Sequence, residues 1–132
     1  ARPEKMFLMF NHSLSKDQKM DAGNIWGEQL RFVSLPEELK PLWAQIPADK
    51  TGLFDILSPF RTWLEKESGK NDVVLIQGDF GATWLMVQHA LSNDLVPVYS
   101  VTVRQAREDR GPDGTVKNTH FFKHRMFRVY GI

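Results

Sequence analysis

The sequence predicts an α/β domain with a mainly parallel sheet and a C-terminal antiparallel hairpin. Three observations carry this reading. An apolar, β-branched run, Val73-Val74-Leu75-Ile76-Gln77, stops at a glycine-spaced turn, Gly78-Asp79-Phe80-Gly81-Ala82-Thr83, and a helical pattern follows. Strand-like and helix-like stretches alternate before it, as they do in layered α/β domains. Near the end, Arg110-Gly111-Pro112-Asp113-Gly114 is a turn signal between two extended stretches.

Each element has a local reason. Ala1 to Lys5 reads as a loose terminus, and Met6 to Phe10 as a buried strand closed by Asn11-His12-Ser13. Ser15 has Gln18 three residues on, the spacing of a capping box, so a helix is expected from there to about Ile25. Gln29 to Leu35 reads as a second strand. Pro36 suits the first position of a helix, with Glu37 and Glu38 in its first turn, and Pro47 ends that region. From Gly52 to Glu67, Leu53, Ile56, Leu57, Phe60, Trp63 and Leu64 recur at helical spacing, and Pro59 predicts a break near Ser58. A turn over Gly69 to Asp72 leads into the central strand, then a helix over Ala82 to Leu91 and a strand over Pro97 to Val103. Residues 98–106 and 115–130 are expected to pair as the hairpin.

At 132 residues the chain, 1–132, is expected to be a single domain with room for a core. It has no cysteine, which excludes disulfides and thiolate metal sites and suits a reducing compartment. The apolar run Met6 to Phe10 is far too short to cross a membrane and lacks a signal-peptide pattern, so the protein is expected to be cytoplasmic, with no membrane partner. A net charge of +1 gives no sign of binding to long nucleic acid. Its distribution is more informative. Leu35 to Asp72 holds seven acids and five bases, whereas Val116 to Ile132 holds four bases, two histidines and no acid. A locally basic end suits a small anionic ligand.

Glycine-spaced amides at a strand-to-helix turn suit a phosphate. The turn lacks the Gly-Lys-Ser/Thr ending of a Walker loop and the three-glycine spacing of the dinucleotide fingerprint. Asp79-Phe80-Gly81 matches a kinase element, but the kinase catalytic loop is missing and the chain is too short. The plainer role is a turn in which Asp79 or Thr83 caps the following helix. In open sheets ligands bind beyond the carboxyl ends of the strands, so Asn11-His12-Ser13 and Gln77-Gly78-Asp79 are expected to share one crevice. His12 could then face a phosphodiester oxygen. His89 lies in an apolar helical pattern and reads as structural. His120 and His124 share one strand parity, and Lys123 and Arg125 the other. A bulge or a second subunit would be needed to unite them. There is no His-Glu-x-x-His pattern and no Gly-x-Ser-x-Gly elbow, so neither metal nor Ser-His-Asp chemistry is supported.

Three segments carry a resemblance: Phe7 to Leu14, Val74 to Thr83, and His120 to Arg125 with Phe127 to Gly131. Together they resemble a family of small accessory proteins encoded with type III CRISPR systems, similar to CARF (CRISPR-associated Rossmann fold) domains. The resemblance covers about Lys5 to Gly131. It implies a Rossmann-like, three-layer fold and a ring nuclease that cleaves cyclic tetra-adenylate to linear di-adenylate, switching off the response. It needs no cofactor. The alternative is a sponge that holds the ring intact, or a regulatory module. The implied ligand contacts fall on Asn11, His12, Ser13, Gln77, Gly78, Asp79, Phe80, Gly81, Ala82, Thr83, His120, Lys123, His124 and Arg125. Cleavage by an adjacent 2′-hydroxyl requires no metal. His12 and His124, then His120, are the acid and base candidates, and Lys123 and Arg125 would stabilise phosphate charge. A ring with two-fold symmetry suits a homodimer that presents the same loop twice.

Overall fold

A computed structural model describes residues 2–132. The elements in chain order are β1 (Lys5–Met9), α1 (Lys16–Trp26), β2 (Arg31–Ser34), α2 (Lys40–Ala44), α3 (Ser58–Glu67), β3 (Val73–Ile76), α4 (Phe80–Ser92), β4 (Val96–Arg110) and β5 (Val116–Val129). The five strands form one mixed sheet in the order β2-β1-β3-β4-β5. The pairings of β1 with β2, β1 with β3 and β3 with β4 are parallel, and β4 with β5 is antiparallel.

Alternation along the strands sorts the core into two halves. Phe7, Met9, Val74 and Ile76 pack with Trp43, Phe60, Leu64, Ala82 and Met86 from α2, α3 and α4. Met6, Leu8, Val73, Leu75 and Val98 pack on the opposite face with Leu14 and Ala22, and Trp26 and Phe127 close over them. The helices therefore cover both faces, with α1 alone on one of them. The chain steps from β1 outward to β2 and then returns past β1 to β3. The order thus reverses at the β1/β3 boundary, where open α/β sheets place their ligands at the carboxyl edge.

The N-terminus is anchored. The buried Asp72 carboxylate accepts from the Glu4 and Lys5 amides at 3.0 and 3.2 Å and from Gly69 at 2.8 Å. Glu4 and Lys5 are therefore tied down where a loose end was expected, while Ala1 lies outside the described residues. Ser15 and Gln18 form the expected capping box at α1. Pro36 opens a turn, and helix α2 begins only at Lys40. The expected 52–67 helix is regular only from Ser58, because Pro59 has no amide to continue a helix from before it and is suited to the first turn.

β4 is longer than expected, reaching Arg110, while β5 lies within the expected 115–130. β4 runs parallel to β1 and β3, and β3 pairs with it only up to Val98. Beyond about Val101 the β4–β5 ribbon therefore projects off the carboxyl edge as an arm whose residues are largely exposed. At its base the register slips: Val101 faces Met126 but Thr102 faces His124, leaving Arg125 as the extra residue of a β-bulge. Counting back from Phe127, strict alternation would put Arg125 on the α1 face; the bulge gives that place to His124.

Candidate functional site at the carboxyl edge

Two neighbouring cavities open at this edge, where the sequence suggested one. The first, about 580 Å³, lies over the ends of β1 and β2 between α1 and α2. Leu8, Phe10, Phe32, Leu35 and Pro41 give it an apolar floor. Asn11, His12, Ser13, Ser34, Lys19 and Lys40 supply its polar groups. No carboxylate lines it. His12 is exposed, its ring edge-on to Phe10 with centroids 5.7 Å apart. Lys40 is held 2.6 Å from Glu37, an exposed residue outside the lining. An acid-free cleft with two ammonium groups and an imidazole favours an anion, and its volume falls within the ~300–1,000 Å³ range of small-ligand sites.

The second cavity, about 340 Å³, is lined by Gln77, Gly78, Phe80, Thr83, Tyr99, Ser100 and Tyr130. Three aromatic rings line it, two of them tilted at 51° to each other. Tyr99 and Tyr130 lie 4.8 Å apart, and Phe80 is 96% exposed. Tyr130 donates its hydroxyl to the Ile76 carbonyl at 2.7 Å, and burial raises its pKa above the ordinary phenol value. The Thr83 hydroxyl oxygen is enclosed without a partner, the single buried side-chain polar atom in that state among the described residues. A buried hydroxyl without a partner is costly, and here it lines a cavity that a polar ligand group could enter.

The glycine loop is largely committed to structure. Gln77 donates its amide to Met9 O at 3.0 Å, accepts Trp43 Nε1 on its carbonyl at 3.0 Å and accepts the Ser100 amide on Oε1 at 2.6 Å. One residue thus joins β1, α2 and β4. Gly78 lies against the Trp43 indole, where a Cβ would come within 3.0 Å of Nε1. Asp79 caps α4 by accepting the Ala82 amide at 3.0 Å. Its carboxylate already supplies the negative charge that a helix start favours. An anion at this helix start would have to compete with that carboxylate. Gly81 and Phe80 are exposed at the start of α4, and Ala82 is in the core.

The four C-terminal candidates are separated. His124 faces α1, and its side chain is only 4% exposed. Nε2 lies 2.8 Å from Asp21 Oδ2 and Nδ1 lies 2.6 Å from Ser100 Oγ, which also accepts from Gln18 Nε2 at 3.2 Å. The chain of bonds is complete with Nε2–H donating to Asp21 and the Ser100 hydroxyl donating to Nδ1. Sequence reasoning found no Ser-His-Asp arrangement. The three residue types do meet here, but both ring nitrogens are occupied and the serine is buried on a strand rather than presented at a turn. The array ties α1 to the base of the arm. Lys123, opposite Val103, falls on the other face of the sheet with Tyr99, and Arg125 is the unpaired residue of the bulge. His120 faces Ala106 far out on the arm, about 25 Å beyond Val98 at ~3.3 Å per residue. The bulge does not unite the four residues, since alternation still sets His124 and Lys123 on opposite faces.

Lys19 and Lys40 were not singled out from sequence, because lysines on helices usually serve only as solvated charge. The available signal was position: Lys19 lies four residues after a cap that follows the first strand, and Lys40 sits beside a helix-starting proline. His89 is enclosed as expected, with Glu65 3.6 Å away. Burial lowers its pKa from the ordinary 6.5, with Glu65 opposing and Arg61 adding to the shift.

Residues 4–128 match the family described as "Uncharacterized protein MJ1673 family". The chain belongs to the MJ1673 family. It is 46% identical over 127 residues to the protein MJ1673 of Methanocaldococcus jannaschii, with 96% of each chain covered. The MJ1673-family match spans the first cavity, the second except for Tyr130, and most of β5. No solved structure matches the chain. Among the described residues, no helix is long and apolar enough to cross a membrane.

Proposed function

We propose that this protein binds a cyclic oligoadenylate, cyclic tetra-adenylate in the first instance, across the carboxyl edge of its sheet. On this reading it cleaves the ring to linear di-adenylate as a cytoplasmic, Rossmann-like (CARF-like) ring nuclease that switches off type III CRISPR signalling. The observation that carries the reading is the acid-free cleft holding His12, Lys19 and Lys40 above an apolar floor. Phosphates would meet the lysines, and an adenine would lie on Phe10, Phe32 or Pro41. The aromatic cavity beside it, with the unpartnered Thr83 hydroxyl, offers a second base position. A ring of four nucleotides exceeds one such cleft, so a pair of clefts around a two-fold axis suits it better.

In this scheme a 2′-hydroxyl attacks the adjacent phosphorus, the 5′-oxygen leaves, and a 2′,3′-cyclic phosphate remains. His12 accepts or donates the proton, and Lys19 and Lys40 stabilise the charge on the phosphorane. His124 serves as a positioning residue for the arm.

One observation favours a second reading, a sponge that holds the ring uncut. With His124 enclosed and His120 far along the arm, His12 is the histidine that lines the cleft. Single-turnover incubation with labelled cyclic tetra-adenylate and a chelator separates the readings. Linear product supports cleavage, retention of intact ring supports the sponge, and absence of binding overturns both.

A further inference from the structure

The β4–β5 arm has a surface chemistry of its own, set by its register. Directly opposed residues of an antiparallel pair share a face. From the bulge outward, one face therefore carries Arg104 opposite Phe122, His120 opposite Ala106, and Arg110 next to the turn. The other face carries Phe121, Arg107, Lys117 and Lys123. On the first face Phe122 is 71% exposed, and Arg104, His120 and Arg110 are exposed with it. Phe122 and His120 are two residues apart on β5, so their rings leave the strand ~7 Å apart, about two steps of a base stack.

Charge is concentrated on this arm. Of the chain's 17 bases and 16 acids, six bases and three acids fall between Thr102 and Arg125, leaving eleven and thirteen for the rest. The net charge of +1 thus joins a basic arm to an acidic body. β5 itself has no acid. Two of the arm's three acids are engaged locally: Asp109 lies 3.3 Å from Arg107, and Asp113 accepts the Thr115 hydroxyl at 2.6 Å in the turn. The ribbon is one backbone layer thick, within a Debye length of ~10 Å, so the bases of both faces add to the field at each.

These features select an occupant. Exposed rings among fixed cations suit a strand of nucleic acid whose bases are unpaired. A duplex hides the faces of its bases and would leave Phe122 unused. A hairpin that enters a membrane would carry its apolar residues at the tip, whereas this tip is Arg110-Gly111-Pro112-Asp113-Gly114. A protein strand added to the edge of β5 would use backbone groups and neither ring.

We propose that the arm binds single-stranded nucleic acid along its Arg104–Phe122–His120 face, with bases stacked on Phe122 and His120 and phosphates held by Arg104 and Arg110. The site is separate from the cleft and does not depend on the function proposed for it.

Fluorescence anisotropy of the full chain with a labelled oligouridylate of about 12 nucleotides reads this site without offering adenine to the cleft. Binding is expected at about 50 mM salt and should weaken as salt rises, with a log–log slope near −0.7 per phosphate neutralised. Phe122→Ala is expected to weaken binding ~5- to 150-fold at unchanged slope and circular dichroism, and Phe122→Trp to retain it. Arg104→Gln should weaken binding and make the slope shallower by ~0.7. Phe121→Ala, on the other face, is expected to change affinity by less than ~2-fold. A DNA strand of the same length separates RNA from DNA as the source, and binding of either supports the proposal. Absence of binding to both strands, with or without binding to phosphatidylserine vesicles, overturns it. So does a complex that is tighter with a duplex of the same length, or one indifferent to Phe122→Ala.

Discussion

Replacing His124 by Ala distinguishes a structural histidine from a catalytic one. The ring is 4% exposed, lies 4.5 Å from the Phe127 ring and fills two hydrogen bonds, at 2.6 Å to Ser100 and 2.8 Å to Asp21. Removing it forfeits ~1–2 kcal/mol of ring burial. Each lost bond adds ~1 kcal/mol, and more where its charged partner keeps no substitute. The expected cost is therefore about 3–4 kcal/mol. Unfolding entropy near 2.1 cal/mol/K per residue gives ~0.28 kcal/mol/K for a chain of this size, so Tm should fall by about 12 °C. Differential scanning calorimetry reads this directly. His124→Gln, which can keep one hydrogen bond, is expected to recover part of the loss. Below the lowered Tm, the Ala variant should still act on cyclic tetra-adenylate if the wild type does. A variant that melts like wild type but has lost cleavage would refute the argument and return His124 to the chemistry.

Other outcomes follow from the same geometry. His12→Ala is expected to slow cleavage of cyclic tetra-adenylate by ~100-fold or more while changing affinity little, read by single-turnover kinetics beside equilibrium binding. Lys19→Ala and Lys40→Ala should each weaken binding ~10- to 100-fold, the size of a charge-assisted phosphate contact, with a shallower salt dependence. Gly78→Ala forces a methyl to within 3.0 Å of the Trp43 indole and is expected to cost ~1–3 kcal/mol by denaturant unfolding. His89 has a folded-state pKa below its ordinary 6.5, so the unfolded chain binds the proton more readily. Its contribution is present above 6.5 and is lost as pH falls towards and through the folded value. His89→Gln should therefore flatten the acid side of the stability profile while sparing the alkaline side.

The parts of the fold legible in the sequence are those dictated by local physics. Ser15 and Gln18 specify the start of α1 because a capping box is a contact between residues three apart. Val73 to Ile76 is buried on both faces, so its apolar run is unbroken and easily read. The outer end of β4, residues 107–110, was missed because neither of its faces is buried within the chain, and an unburied strand leaves no alternation to detect. The bulge at Arg125 and the Asp21–His124 contact, 103 residues apart, were not legible, since each depends on which strand neighbours which. The same limit applies to the cleft. Asn11, His12 and Ser13 were found from the end of a strand, but Lys19 and Lys40 become cleft residues only when α1 and α2 flank the sheet.

The anchoring of the first strand by Asp72 has a kinetic consequence. β1 is synthesised before its partners, which include residues 73–76, and the amides of Glu4 and Lys5 bond a carboxylate 68 and 67 positions later. A growing chain must reach Ile76 before β1 can settle against β3. Parallel pairings at such separation make for slow folding, whereas the β4–β5 hairpin, closed by a short turn, can form within microseconds of its synthesis. During that wait Met6, Phe7, Leu8 and Met9, all destined for the core, have only the edge strand β2 to pair with. The unfinished chain is therefore most prone to aggregation at β1, and translation speed from β1 to Ile76 becomes a determinant of yield.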